Sequence, residues 1–139
     1  MSQPIRFNHV AILVPDLPAA VAQFSKTFGT TFTPPSRMTV PEWEENGVSR
    51  PEQIYVAFST GISPQIELLE ASGDGVFSAK HGFGMHHIGG WVNDVDEAIE
   101  NFGEAGMKPE SIARAGHQTL STYFEPTGML GVRIEANRG

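Results

Sequence analysis

The chain repeats itself, and that constrains it more than any local propensity. Asn8-His9-Val10-Ala11-Ile12-Leu13-Val14-Pro15-Asp16-Leu17 recurs 78 positions later as His86-His87-Ile88-Gly89-Gly90-Trp91-Val92-Asn93-Asp94-Val95. The register continues without a gap, so that Ala20, Val21 and Phe24 fall on Ala98, Ile99 and Phe102. A second match, Gln65-Ile66-Glu67-Leu68 with Arg133-Ile134-Glu135-Ala136, lies at an offset of 68, so the later copy is about ten residues shorter between its helix and its last strand. A duplication inside 139 residues leaves room for two small modules of one design, and such periodicity decides architecture before residue-level patterns do.

Each copy reads the same way. Phe7 to Val14 alternates, with Phe7, His9, Ala11 and Leu13 on one face and Val10, Ile12 and Val14 on the other, the period of a strand. His87 to Val92 does likewise. Asp16 then caps a helix with Pro18 near its start, in which Leu17, Val21, Phe24 and Phe28 recur at helical spacing until Gly29 ends it. Asp94 does the same for Val95, Ala98, Ile99 and Phe102, with Asp96 and Glu97 in the first turn, where the helix dipole favours acids. Three strands are predicted after each helix. In the first copy they are Thr30 to Thr33, Ile54 to Ser59 and Gln65 to Leu69. In the second they are a short one near Ile112, Thr119 to Glu125 and Val132 to Ala136. Residues 34–53, rich in proline and without clear periodicity, read as a long loop, and Trp43 with Glu42, Glu44 and Glu45 favours a lid. The fold expected is α+β: one domain over 1–139, made of repeats at about 5–71 and 85–137 joined by the Gly-rich run 73–84.

Composition narrows the function. The net charge is −7, with 9 basic against 16 acidic side chains and no basic run, which argues against a nucleic-acid or anionic membrane surface. No stretch has the length of a signal peptide or a membrane span, so a cytoplasmic protein is expected. Cysteine is absent, so thiolate ligands, thiol nucleophiles and disulfides are excluded and any metal must be held by nitrogen and oxygen.

Functional residues in a duplicated chain should occur in matched pairs, and here they do: His9 matches His87, and Glu67 matches Glu135. A single strand histidine or glutamate is ordinarily a packed or solvated side chain. Four of them at symmetric positions, on the strand parity opposite the most apolar residues, are better explained as a site. If the apolar parity packs on the helices, the other lines a concave face, where Ala11 and Gly89 leave room for a ligand. Two neutral imidazoles and two carboxylates balance one divalent cation, and the donor set suits Zn, Ni, Co, Mn or Fe(II). His86 has the opposite parity and reads as structural; His81 and His117 fall in loop or strand-start positions.

These motifs resemble the vicinal oxygen chelate superfamily of glyoxalases, methylmalonyl-CoA epimerases, extradiol dioxygenases and bleomycin or fosfomycin resistance proteins. The likeness rests on Asn8-His9-Val10-Ala11-Ile12 with Pro15-Asp16-Leu17, Ile66-Glu67-Leu68-Leu69-Glu70, His86-His87-Ile88-Gly89 with Asp94-Val95-Asp96, and Gly131-Val132-Arg133-Ile134-Glu135. The resemblance implies two βαβββ modules forming an open, barrel-like cup, one divalent metal on His9, Glu67, His87 and Glu135, and frequent dimerisation. A carboxylate at Glu67 is unlike the extradiol pattern and favours the epimerase and lyase branch. There the metal stabilises an enolate or enediolate while a glutamate moves the proton next to a carbonyl. Glu135 or Glu67 would be the base, and Glu52, in Pro51-Glu52-Gln53-Ile54, resembles the position of the second carboxylate in the CoA epimerases. The resemblance thus implies a divalent-metal-dependent epimerase or isomerase of the methylmalonyl-CoA epimerase type; alternatives are a lactoylglutathione lyase-like enzyme, an extradiol-type dioxygenase, or a metal-free binding protein whose cavity is dominated by Trp43, Trp91, Phe58 and Tyr123. An anionic CoA tail would have to find partners among Arg37, Arg50, Lys80, Arg114 and Arg133.

Overall fold

The computed structural model describes residues 4–139. They form β1 (Arg6–Val14), α1 (Leu17–Phe28), β2 (Thr31–Phe32), β3 (Ser36–Glu45), β4 (Val48–Thr60), β5 (Gln65–Glu70), β6 (Gly84–Val92), α2 (Val95–Glu104), β7 (Pro109–Ala115), β8 (Gln118–Phe124) and β9 (Ile134–Arg138). No helix among them is long and apolar enough to cross a membrane.

The chain divides into two compact units that interleave in sequence: residues 8–39 with 53–86, and the residues up to Phe7 with Val40–Glu52 and His87–Gly139. In the first, β1 runs parallel to β5, which pairs antiparallel with β4, and β4 carries the two-residue β2 on its other side. The register sets Ala11 opposite Glu67, and Glu67 opposite Phe58. Helix α1 starts where Asp16 accepts the Ala19 N–H at 3.0 Å and ends at Gly29, whose positive φ of 65° lets its N–H turn back to Ser25. Its apolar stripe buries Leu17 and Ala20 against Val14, Ala57 and Leu68, with Ile12, Tyr55 and Ile66 packed around them. Those strand residues all have the parity opposite His9 and Glu67, so burial on the helix turns the two polar side chains to the other face of the sheet.

The second unit repeats the plan. β6 runs parallel to β9, β9 pairs antiparallel with β8, and β8 with β7. Gly89 lies opposite Glu135, and Glu135 opposite Tyr123. Asp94 accepts the Glu97 N–H at 3.0 Å at the start of α2. That helix buries Val95 and Ala98 against Val92, Phe124, Ile134 and Ala136, with the Phe102 and Phe124 rings stacked at 4.2 Å.

Residues 34–53 are not the loop that their prolines suggested. They build most of a hairpin, β3 turning into β4 at Asn46-Gly47, both at positive φ (52° and 76°) as a tight two-residue turn requires. Trp43 is not a lid residue: it is 2 % exposed, opposite Ala113 in the β3–β7 pairing, with its ring 6.0 Å from that of Tyr123.

Candidate metal centre

In the first unit His9 comes from β1 and Glu67 from β5. His9 is 9 % exposed, and its Nε2 stands 3.7 Å from Glu67 Oε1. The other ring nitrogen, Nδ1, is 2.7 Å from Asn8 Oδ1. In the second unit His87 comes from β6 and Glu135 from β9. His87 is 1 % exposed, its Nε2 lies 3.2 Å from Glu135 Oε1, and the edge of its ring meets Tyr123 at 4.7 Å. Asn137, two residues on along β9, donates its Nδ2–H to the same Glu135 Oε1 at 3.0 Å. Each unit thus presents the same pair of donors, a histidine Nε2 beside a glutamate Oε1.

The donor set fits a divalent ion. Nitrogen and carboxylate oxygen each bind zinc-like metals at about 2.0–2.2 Å, so two donors on one ion stand about 3.0 Å apart at a right angle and about 3.4 Å at the tetrahedral angle. Separations of 3.2 and 3.7 Å within the histidine–glutamate pairs are close to those values.

Other residues singled out by the sequence fall differently. Glu52, on β4, is partly buried and paired with Arg50 at 3.1 Å. His86 is buried, bonded through Nε2 to Val76 O at 2.8 Å and stacked on Phe77, which is the structural role its parity implied. His81 bonds to Gly75 O at 3.1 Å, and His117 is exposed. Trp91 is 42 % exposed. Among the basic side chains, Arg114 pairs with Glu44 at 2.7 Å, and Arg133, itself buried, grips Glu110 through Nε and Nη2. Arg37 stacks on the Tyr55 ring at 4.1 Å. Sequence reasoning gave no site role to Asn8 or Asn137. Their signal was position: Asn8 immediately precedes His9, and Asn137 follows Glu135 by two, which in a strand means the same face.

Residues 8–124 match the model of the glyoxalase/bleomycin resistance protein/dioxygenase superfamily. The chain is 37 % identical over 128 residues to the ethylmalonyl-CoA/methylmalonyl-CoA epimerase of Cereibacter sphaeroides, covering 87 % of this chain and 84 % of the relative. Among solved structures, a methylmalonyl-CoA epimerase in complex with methylmalonyl-CoA and NH4+ superposes with a TM-score of 0.68 at 20 % identity, covering 99 % of this chain and 96 % of that one. The Mycobacterium tuberculosis methylmalonyl-CoA epimerase gives 0.65 at 20 % identity over 95 % and 86 %.

The chain therefore belongs to the glyoxalase/bleomycin resistance protein/dioxygenase superfamily, and its fold is the mixed α+β, glyoxalase-like one. Within that superfamily its similarity runs to the CoA-thioester epimerases.

Proposed function

We propose that this protein is a divalent-metal-dependent epimerase acting at the α-carbon of a methylmalonyl-CoA-type thioester. The observation that carries the reading is the matched set of His9, Glu67, His87 and Glu135 in a chain 37 % identical to an ethylmalonyl-CoA/methylmalonyl-CoA epimerase. The ion, when bound, supplies the Lewis acid that offsets the negative charge developing on the carbonyl oxygen as the α-proton leaves.

The protein's own groups do the rest. Inverting a centre requires a proton to leave one face and another to arrive at the opposite face, so two acid–base groups are needed. Glu135 serves one face, with Glu67 as the alternative, and Glu52 serves the other. The guanidinium of Arg50, 3.1 Å from Glu52, orients that carboxylate. His9 and His87 would hold the ion, together with Glu67 and Glu135. Of the five basic residues weighed for an anionic tail, Arg50, Arg114 and Arg133 are engaged with Glu52, Glu44 and Glu110. That leaves Arg37, whose guanidinium lies on an aromatic face, and Lys80 for the phosphates. A cytoplasmic homodimer belongs to the same reading.

The test is isotopic. One C2 epimer of methylmalonyl-CoA, incubated in deuterated water with metal-loaded protein, is expected to invert and to take up deuterium at C2. Chelation should slow both by at least about 10²-fold, and Co2+ or Mn2+ should restore them. Stoichiometric metal without deuterium uptake would overturn the assignment.

A further inference from the structure

Two contacts inside the second unit end on one oxygen of Glu135. His87 Nε2 lies 3.2 Å from Oε1, and Asn137 donates an Nδ2–H to that same Oε1 at 3.0 Å. Chemistry fixes the direction of the second contact, because an ionised carboxylate only accepts and the amide must therefore turn its nitrogen toward it. Hydrogen bonds to an ionised acceptor are also roughly twice as strong as neutral ones. The strand makes the bond possible. Residues two apart on β9 share a face about 6.5–7 Å apart, a gap that a glutamate and an asparagine side chain bridge between them. The repeat supplies the contrast: the position matching Asn137 in the first copy holds Leu69, which has no donor to offer Glu67.

We infer that Asn137 is a positioning residue for Glu135: its amide holds Oε1 beside His87 Nε2 and so fixes the rotamer in which the carboxylate works. The purpose of that bond rests on the function proposed above; its geometry does not. A glutamate reaches its carboxylate through three rotatable bonds, and a displacement of about 1 Å at a reacting group can cost ~10²-fold in rate. A side chain that orients a ligand or a base from behind acts through it alone, and its loss typically costs about 10–100-fold in metal affinity or activity. Asn137 sits where such a brace is useful, at the end of β9 between Trp91 and Ser121, one pair beyond the row of Gly89, Glu135 and Tyr123. Trp91 beside it is 42 % exposed, so the brace stands where the buried row gives way to solvent.

The experiment has two arms. In metal-free protein labelled with 15N-asparagine, the Asn137 side-chain N–H should exchange with solvent about tenfold faster in Glu135→Ala than in the wild type. The second arm uses Asn137→Leu, which copies the first repeat at nearly the same size. Its urea midpoint should match the wild type, while kcat on methylmalonyl-CoA and affinity for Co2+ alone each fall about 10–100-fold and KM stays within about twofold. Asn137→Gln, which keeps the donor on a longer stem, should recover part of both losses. An Asn137 amide indifferent to Glu135→Ala overturns the inference, as does an Asn137→Leu variant with unchanged kcat and Co2+ affinity. A loss that follows a lowered urea midpoint and that Asn137→Gln does not recover assigns the residue to packing and overturns it too. Should the wild type neither bind Co2+ nor turn over the thioester, the proposed function fails by itself, while the amide arm still decides whether Asn137 holds Glu135. If Asn137→Leu does not fold, Asn137→Ala carries the same expectations.

Discussion

Strands β5 and β9 close the two repeats and carry Glu67 and Glu135 in the same register, opposite Ala11 and Gly89. Around that shared frame the neighbours have diverged. Phe58 faces Glu67 where Tyr123 faces Glu135. Leu69 stands two residues after Glu67 where Asn137 stands after Glu135, and Asn8 precedes His9 where His86 precedes His87. Strand pairing thus fixes where the two glutamates arrive, because register dictates which side chains share a face. What surrounds them decides how each is held: the first half buttresses its histidine with an amide, and the second buttresses its glutamate.

The two glutamates give the largest expected contrast. Glu135→Gln should lower epimerisation by about 10³-fold, the scale of a lost acid–base group. Glu67→Gln keeps an oxygen donor and should cost roughly tenfold, with metal content measured alongside the rate. Equal losses would show that both carboxylates move protons and would erase the functional asymmetry. Next comes packing. Gly90 occupies the position matched by Ile12, yet a Cβ there would lie 2.4 Å from Arg6 O, because the amino-terminal segment crosses that face while Ile5 packs on the α2 core. Gly90→Ala should therefore destabilise by about 1–3 kcal/mol in urea unfolding. A neutral result would mean that the first strand yields and the two halves tolerate the same residues. The smallest effect is at the helix caps. Asp16→Ala and Asp94→Ala should each cost about 1 kcal/mol. A clearly larger loss for Asp94 would show that α2 depends more on its cap than α1, whose Leu17 N–H is also held by Glu70 at 2.9 Å.

Most of this fold was legible because its signals are local and doubled. Alternation at Phe7 to Val14 and the Asp16 and Asp94 caps each occur with a matching partner, and the observed helix α1, Leu17–Phe28, has the limits its cap and Gly29 predicted. The hairpin from Ser36 to Thr60 was not read. Pro41 and Pro51 sit inside its strands, and proline lacks the N–H that a strand ladder uses, so the stretch lacked the usual strand pattern. Asn46-Gly47 was the countersignal, a dipeptide suited to two consecutive positive φ values. For the site, pairing across the repeat exposed His9, His87, Glu67 and Glu135. Asn8 and Asn137 escaped that logic because neither has a counterpart in the other half, and their hydrogen bonds depend on side-chain rotamers that sequence does not encode.

The arm Val40–Glu52 is written in the first copy but clusters with the segments of the second, through the pairing of β3 with β7. Inheritance and cooperativity are therefore cut along different lines. Neither copy, released by cleavage in the Gly-rich run, would be a miniature of the whole: one would keep an arm without its acceptor strand, the other an acceptor strand without its arm. Such an exchange makes the duplication hard to undo, since losing either half strands an edge of the other.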